Sequence, residues 1–236
     1  MDRISKINSY YEKNFQELQK LHMYLNNAVR SNVNADNYRL LGWESRQAQY
    51  ARFAAFVKNV ALDGTSVLDV GCGLGDLFHF MTCGIGLNVE YTGIDISKRM
   101  IAIACEQLAI LRENGLRLPE GNKSTVRFVC KDVFEESEAD AATTESRADW
   151  VYASGIFNLN LGNNDEFLRK AFLRFAGLCK KGFVCSMLNV RSTDKEDTYY
   201  YYEPSAVSAL AKEYGAKNVR IIDDYLENDF TIIAEM

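Results

Sequence analysis

The amino-terminal part of the chain carries apolar residues at the spacing of an α-helix. Within residues 1–30 they recur every three or four positions and form one stripe, made of Tyr11, Phe15, Leu18, Leu21 and Leu25. A polar break at 30–37 separates this stretch from a second predicted helix over 45–60, which ends at an Asp-Gly turn. We therefore expect residues 1–62 to form a helical segment ahead of the main domain.

From residue 64 onward, apolar runs alternate with helical stretches. Five runs predict strands that are separated by helices or long connections: 65–70, 89–96, 124–132, 149–155 and 181–190. Runs without clean alternation are typical of strands covered on both faces, and hence of a parallel sheet. The last two predicted strands, 216–225 and 229–236, are joined by too few residues for a crossover and must pair antiparallel.

Residues 63–236 are therefore predicted to form one α/β unit. The expected fold is a three-layer sandwich around a mostly parallel seven-stranded sheet whose last strand is antiparallel.

Composition and charge narrow the range of functions. Hydrophobic residues make up 47% of the chain and charged residues 25%, and the formal net charge is −5. A nucleic-acid surface needs clustered lysines and arginines, and no such stripe stands out. Neither an apolar window of about 18 residues nor the apolar core of a secretion signal is present. We expect a small-molecule substrate, no nucleic acid and no membrane, and we leave open a homodimer.

Six cysteines are spread through the chain without C-x-x-C pairs: Cys72, Cys83, Cys105, Cys130, Cys179 and Cys185. Most lie in apolar stretches such as VRFVC and GFVCSML, which predicts reduced core residues of a cytoplasmic protein. His22 and His79 have no ligand spacing relative to these cysteines, so no metal site is predicted.

The connection over 132–149 is strongly acidic. It holds seven acids against one arginine and few apolar residues. This composition is more typical of a solvated loop than of a binding element.

The stretch VLDVGCGLGD at 67–76 places three glycines after a predicted strand: Gly71, Gly73 and Gly75. Glycine permits positive φ and lets a ligand approach the backbone closely. A strand-to-helix turn also directs backbone N–H groups toward a polar or anionic ligand. The dinucleotide fingerprint G-x-G-x-x-G would require glycine at position 76, which is Asp76, so that fingerprint fails.

This stretch resembles the first motif of class I S-adenosylmethionine-dependent methyltransferases, D-x-G-x-G-x-G after an apolar strand. The similarity extends over residues 40–236 and includes the reversed final strand. It implies S-adenosylmethionine as the cofactor and S-adenosylhomocysteine as its product. The implied binding residues lie at the carboxyl ends of successive strands, where an open α/β sheet forms its crevice.

The resemblance assigns roles at four strand ends. Asp95 stands where the family places an acid on the ribose hydroxyls, and a carboxylate can accept two such protons. Asp132 stands beside the adenine, and Ser154 begins the segment near the methionine part. The implied set is completed by Asp69, Gly71, Cys72, Gly73, Gly75, Ile96, Lys131, Val133 and Gly155.

The segment LLGWESRQAQYARF at 40–53 also resembles a subset of small-molecule methyltransferases with "GW" and "RF" before the first motif. In that subset a preceding helix covers the cofactor, and an arginine reaches the methionine carboxylate. The resemblance thus implies a helical lid within residues 1–62, with Arg52 as the carboxylate ligand and Trp43 closing the pocket. Alternatively, Arg52 is a surface residue of an amphipathic helix and Trp43 a core anchor.

The acceptor side is less defined by sequence. The Asn-Pro-Pro-Tyr/Phe motif of many N-methyltransferases is replaced by SGIFNLN at 154–160, where Asn158 could orient a polar substrate but not act as a base. Four tyrosines at 199–202 follow the fifth strand and suit either a pocket wall or an edge segment packed on the N-terminal helices. The candidate substrate-pocket residues are Trp43, Phe157, Asn158, Tyr200, Tyr202 and Tyr225. No catalytic base is assigned.

Three functional hypotheses follow from these patterns. The favoured one is a methyltransferase that acts on the O, N or C atom of a metabolite or natural-product intermediate. The second is a nucleotide-dependent oxidoreductase, against which the glycine spacing counts. The third is a non-catalytic protein or activator subunit that binds S-adenosylmethionine or S-adenosylhomocysteine on the same fold.

Overall fold

The structure is a computed structural model that describes residues 2–24, 37–113, 118–135 and 147–236. The end of the first predicted helix and most of the predicted acidic loop lie outside these ranges. No helix in the described part of the chain has the length and apolar character needed to cross a membrane.

The amino-terminal segment is helical, as predicted. Its helices are α1 (Arg3–Tyr24), α2 (Asn37–Leu40) and α3 (Arg46–Asn59). Ser45 caps α3, because its Oγ accepts a hydrogen bond of 3.0 Å from the Ala48 N–H. On α1, Phe15 of the predicted stripe is buried and packs with Leu40 and Met100.

Strands and helices alternate through the remainder of the chain. The strands are β1 (Thr65–Val70), β2 (Val89–Asp95), β3 (Thr125–Cys130), β4 (Ala148–Ser154), β5 (Cys179–Leu188), β6 (Asn218–Ile222) and β7 (Asp229–Glu235). The helices are α4 (Asp76–His79), α5 (Lys98–Glu113), α6 (Asn164–Leu178) and α7 (Pro204–Glu213). The helix predicted after the glycine loop is short, because α4 passes directly into a π-helical turn over Phe80–Gly84.

The seven strands form one sheet in the order β3-β2-β1-β4-β5-β7-β6. Strands β1 to β5 run parallel to one another, whereas β7 is antiparallel to both β5 and β6. The predicted fold and its reversed final strand are thus confirmed. The strand order changes direction between β1 and β4, and this switch point is where open α/β sheets form a ligand crevice.

The core lies on both faces of the sheet. On one face, Phe172 and Phe175 of α6 pack on Phe183 of β5, and all three side chains are fully buried. On the other face, Phe56 of α3 stacks on Tyr152 of β4 with ring centroids 4.7 Å apart. Removing each such side chain from water contributes about 1.5–3 kcal/mol, so the sheet is held between two apolar layers.

The cysteines only partly follow the prediction that they are core residues. All six are free thiols, and Cys72, Cys179 and Cys185 are buried. Cys83, Cys105 and Cys130 are exposed, and for these three the prediction was wrong. For Cys130 the apolar run VRFVC was misleading, because β3 is an edge strand whose residues are all exposed or half-buried.

Candidate functional site

The glycine loop joins β1 to α4 in a conformation that favours glycine. Gly71, Gly73 and Gly75 have φ values of 76°, 54° and 78°, in the left-handed region where side chains are strained. A Cβ at Gly71 would lie 2.1 Å from Ile156, and one at Gly73 would lie 2.6 Å from Leu41. At these positions glycine is therefore favoured both by the backbone conformation and by the lack of space for a side chain.

Asp95, at the end of β2, fastens this loop to the neighbouring strand. Its Oδ2 accepts a hydrogen bond of 3.0 Å from the Gly73 N–H, and its Oδ1 accepts one of 2.8 Å from the Ser97 N–H. Burial raises the pKa of Asp95, while these backbone N–H groups lower it. A carboxylate offers about four acceptor positions, so two bonds leave capacity for further donors.

Asp69, at the end of β1, is buried beneath the loop. Its Oδ2 accepts a hydrogen bond of 2.5 Å from the Tyr91 hydroxyl. Burial raises the pKa of Asp69 to about 7, the Tyr91 bond lowers it, and the charges of Asp95 and Asp76 raise it. This carboxyl group therefore changes protonation near neutral pH.

Two adjoining cavities open at the carboxyl edge of the sheet. They share a set of lining residues, namely Tyr11, Gly71, Asp95, Ser154, Gly155 and Leu159. The first cavity continues along an aromatic wall formed by Tyr10, Trp43, Phe53, Tyr152 and Tyr199. The second continues between β2, β3 and α1, along Arg3, Ile96, Asp132, Val133 and Phe134.

Three residues that line the first cavity each have a buried polar atom without a hydrogen-bond partner. These atoms are Tyr152 Oη, Ser154 Oγ and Asn158 Oδ1. The hydroxyls of Ser154 and Ser186 lie near Tyr152 Oη, yet neither meets hydrogen-bond geometry with it. A buried polar group left unpaired costs about 1–3 kcal/mol, and a polar ligand that bonded to these atoms would recover that cost.

Charge in the first cavity is one-sided. Its lining includes Asp69, Asp76 and Asp95, and the described lining residues include no lysine, arginine or histidine. Across the described ranges, no group of three or more His, Cys, Asp or Glu side chains could hold a metal ion. The site therefore offers carboxylates, hydroxyls and aromatic rings.

Helix α1 runs along both cavities. It contributes Tyr10 and Tyr11 to the first, and Arg3, Ile7 and Tyr11 to the second. The Tyr10 hydroxyl lies 3.1 Å from that of Tyr199, which follows β5.

Most residues of the implied cofactor set line these cavities. Those residues are Asp69, Gly71, Cys72, Gly73, Asp95, Ile96, Lys131, Asp132, Val133, Ser154 and Gly155. Gly75 stands apart, since it ends the loop and packs against the Phe128 ring. Its contribution is to the turn rather than to the cavity wall.

Arg52 occupies a different place from the one that the resemblance implies. Its Nε and Nη2 donate to the two carboxylate oxygens of Asp229, at 2.9 and 2.6 Å, and its Nη1 donates to the Ala48 carbonyl at 2.8 Å. The guanidinium also lies over the Trp43 ring, 4.3 Å from its centroid. Arg52 thus lies behind the cavity wall, and its hydrogen bonds are directed away from the cavity.

Trp43 and Asn158 of the predicted substrate pocket line the first cavity. Phe157 and Tyr202 lie in the core instead, where the Tyr202 hydroxyl donates to the Phe157 carbonyl at 3.3 Å. Of the four tyrosines at 199–202, Tyr199 is the one that lines the first cavity.

The two other predicted pocket tyrosines have partners away from the cavity. The Tyr200 hydroxyl donates to Asp165 Oδ1 at 3.0 Å. The Tyr225 hydroxyl lies 2.7 Å from Thr231 Oγ1, and burial raises the pKa of Tyr225 to about 12.

Several lining residues escaped the prediction. Tyr152 carried a usable signal, because it lies two positions before Ser154 on β4 and strand side chains alternate. No sequence signal marked Arg3, Tyr10 or Tyr11 as cavity residues, because the path of α1 over the sheet is decided by long-range packing. Asp229 lines neither of the two cavities, but its role as the partner of Arg52 was missed for the same reason, since the two residues are 177 positions apart.

Comparison with known proteins adds to this geometry. Residues 61–227 match a family model described as a methyltransferase domain. A protein of Mycobacterium tuberculosis that is named as a methyltransferase is 30% identical over 179 residues, covering 73% of this chain and 94% of that protein.

Solved structures share the fold. A SAM-dependent methyltransferase from Aquifex aeolicus is 17% identical with a TM-score of 0.53, covering 85% of this chain and 94% of that one. Phosphoethanolamine N-methyltransferase 2 of Haemonchus contortus, solved with phosphomonomethylethanolamine and S-adenosylhomocysteine, is 17% identical with a TM-score of 0.55. That match covers 85% of this chain and 45% of the Haemonchus chain.

Proposed function

This chain belongs to the methyltransferase domain family as a class I S-adenosylmethionine-dependent methyltransferase, and we propose that it methylates a small molecule held in the first cavity. The observation that carries this proposal is an aromatic cavity beside the glycine loop, whose lining includes three residues with unpaired polar atoms.

The residues present fit the cofactor. The loop brings its backbone against both cavities at Gly71, and Asp95 lines both with acceptor capacity to spare. We assign the ribose hydroxyls to Asp95, the adenine to the second cavity beside Asp132 and Val133, and the methionine part to the side of Ser154. When bound, S-adenosylmethionine supplies a methyl group that its sulfonium charge has already activated.

The chain's own contribution is positioning and exclusion of water. Tyr10 and Tyr199 meet above the first cavity, and Trp43 closes its wall against Gly155. Holding an acceptor in this enclosure can supply several kcal/mol of the barrier, about 7–11 kcal/mol in the best cases. We assign Asn158 and Tyr152 to the polar group of the acceptor, because their unpaired atoms need a partner.

We further infer that the acceptor is neutral or positively charged. The described lining of the first cavity includes Asp69, Asp76 and Asp95 without a cationic side chain. An anionic group placed there would lose its hydration and gain no opposite charge. Aromatic faces such as Trp43 and Tyr10 would instead favour an amine or a hydroxylated ring.

The test uses S-adenosylmethionine with a labelled methyl group, incubated with a cell extract separated into small-molecule and macromolecular fractions. Label is expected in neutral or cationic small molecules. Label confined to protein or nucleic acid would overturn the small-molecule acceptor, and a labelled anionic acceptor would overturn the charge assignment. Cofactor binding without transfer to any fraction would favour a non-catalytic binding protein.

A calorimetric titration with S-adenosylhomocysteine tests the cofactor assignment separately. Asp95→Asn should weaken binding by about tenfold or more, because it removes the charge and one acceptor position toward the ribose. Glu90→Gln, at an exposed position on the same strand, is the matched control and should bind like the parent protein. Equal affinities for the parent protein and Asp95→Asn would overturn the role of Asp95.

A further inference from the structure

Helix α1 reaches the second cavity with one arginine at its first position. The Arg3 guanidinium donates through Nη2 to Asp132 Oδ2. It also lies over two aromatic rings, 5.2 Å from the centroid of Phe134 and 5.1 Å from that of Phe167. The Asp132 side chain is 5% exposed and that of Arg3 is 22% exposed, so the pair is largely shielded from water. Such a pair is stronger than an exposed one.

Asp132 is held by the loop as well as by the helix. Its Oδ1 accepts a hydrogen bond of 3.0 Å from the Phe134 N–H, which fixes the carboxylate at the end of β3. Both Arg3 and Asp132 line the second cavity. The ion pair therefore joins the first residue of α1 to the wall of the second cavity.

Other contacts of α1 lie further along the helix. Lys6 Nζ donates to the Leu161 carbonyl at 2.7 Å, and Arg99 Nη1 donates to Glu12 at 3.1 Å. Residues at a helix end fray most readily, since they lack the hydrogen bonds of a following or preceding turn. Arg3 is thus the contact of α1 that can open first.

We propose that Arg3 is a latch that retains the adenosine part of the cofactor by closing the second cavity against Asp132. This inference rests on the placement of the adenosine in that cavity under the proposed function. The planar guanidinium can lie against an adenine ring as it lies over Phe134 and Phe167. Entry and exit of the nucleoside require the Arg3–Asp132 pair to open, so the pair sets both exchange rates.

The test measures association and dissociation rates of labelled S-adenosylhomocysteine on the full chain. Arg3→Gln should raise both rates, with dissociation about tenfold faster, while the protein remains folded at the assay temperature. Raising the salt concentration should speed dissociation from the parent protein and have little effect on Arg3→Gln, because only the parent protein has an ion pair to screen.

Two further variants sharpen the test. Lys13→Gln removes an exposed pair with Glu17 on the same helix, at 3.9 Å, and should leave both rates unchanged. Arg3→Lys keeps the charge without the planar fork and should give intermediate rates.

Unchanged rates in Arg3→Gln would overturn the latch. Faster dissociation with unchanged association would also overturn it, because Arg3 would then be a contact residue only. If the parent protein fails to bind S-adenosylhomocysteine, the cofactor assignment fails, which is a distinguishable outcome.

Discussion

Arg52 of α3 and Asp229, the first residue of β7, form a buried bidentate ion pair with contacts of 2.9 and 2.6 Å. The guanidinium also supports the Trp43 ring, whose edge would contact any Cβ placed on Gly155 at 2.9 Å. The pair therefore connects the last strand, the N-terminal helices and the wall of the first cavity. Burial raises the pKa of Asp229, and the Arg52 charge acts against that increase.

Arg52→Met should lower the free energy of unfolding by about 3–5 kcal/mol, because it leaves a buried carboxylate without its counterion. Urea unfolding at neutral pH measures this loss. Lys58→Met, at an exposed position of the same helix, should stay within about 0.5 kcal/mol of the parent protein. The double variant Arg52→Met/Asp229→Leu should recover most of the stability, since neither charge remains buried. A small loss in the single variant, comparable to that of Lys58→Met, would contradict this account.

Gly73→Val should abolish binding of S-adenosylhomocysteine while the protein remains folded. Its φ of 54° and the approach of Leu41 at 2.6 Å leave no room for a side chain without moving the loop. Gly86→Val is the matched control, since Gly86 has a φ of 85° and nothing within 4 Å of its added Cβ. Both variants should lose about 1–2 kcal/mol of stability to the left-handed backbone. Calorimetry should then show binding only in Gly86→Val, and binding by Gly73→Val would disprove the role of the loop.

The stability of the ligand-free protein should fall as the pH rises through the window set by Asp69. Its pKa is raised from 3.8 to about 7 by burial, so in this window the folded protein keeps a proton that the unfolded chain has released. At about 1.4 kcal/mol per pKa unit, the loss approaches about 4 kcal/mol by neutral pH.

Asp69→Asn should make this dependence shallower, because the amide cannot ionise and its oxygen can still accept the Tyr91 bond. Urea unfolding at a series of pH values measures the slope. Asp63→Asn, at an exposed position, should keep the parent slope above pH 5, where Asp63 is already ionised. If Asp69→Asn and the parent protein showed equal slopes, Asp69 would not be the titrating group.

Two tyrosine substitutions should change stability in opposite directions. Tyr152→Phe removes a buried hydroxyl without a hydrogen-bond partner and should stabilise the ligand-free protein by about 1 kcal/mol. Tyr202→Phe removes a buried hydroxyl that donates to the Phe157 carbonyl at 3.3 Å, and should destabilise it by about 1 kcal/mol.

Thermal unfolding compares the two variants directly. Tyr152→Phe should also leave the affinity for S-adenosylhomocysteine unchanged while raising the KM for the acceptor, since we assign this hydroxyl to the acceptor. A loss of stability in Tyr152→Phe as large as in Tyr202→Phe would show that Tyr152 Oη has a partner in the ligand-free protein.

The glycine loop and the two acids at adjacent strand ends were predictable from sequence. Their signal is local, since an apolar run followed by Asp69 and alternate glycines specifies a strand and a tight turn within ten residues. The reversed β7 was predictable for a similar reason, because a short connection between two strands permits only antiparallel pairing.

The acceptor side of the site could not be predicted in the same way. The run of tyrosines at 199–202 showed that alternate residues must face different ways, but not which residue faces the cavity. Tyr199 takes that place because its hydroxyl meets Tyr10 on α1, a partner 189 positions away. Arg52 likewise looked available for a ligand until β7 brought Asp229 against it.

The sequence by itself determined the order of strands and helices along the chain, the glycine loop and the acid at each neighbouring strand end, because these depend on backbone conformation and hydrophobic period within short segments. Only the tertiary structure decided which side chains line the two cavities and which are already paired. Those outcomes depend on where α1, α3 and β7 pack relative to the sheet, and such packing joins residues that the chain keeps far apart.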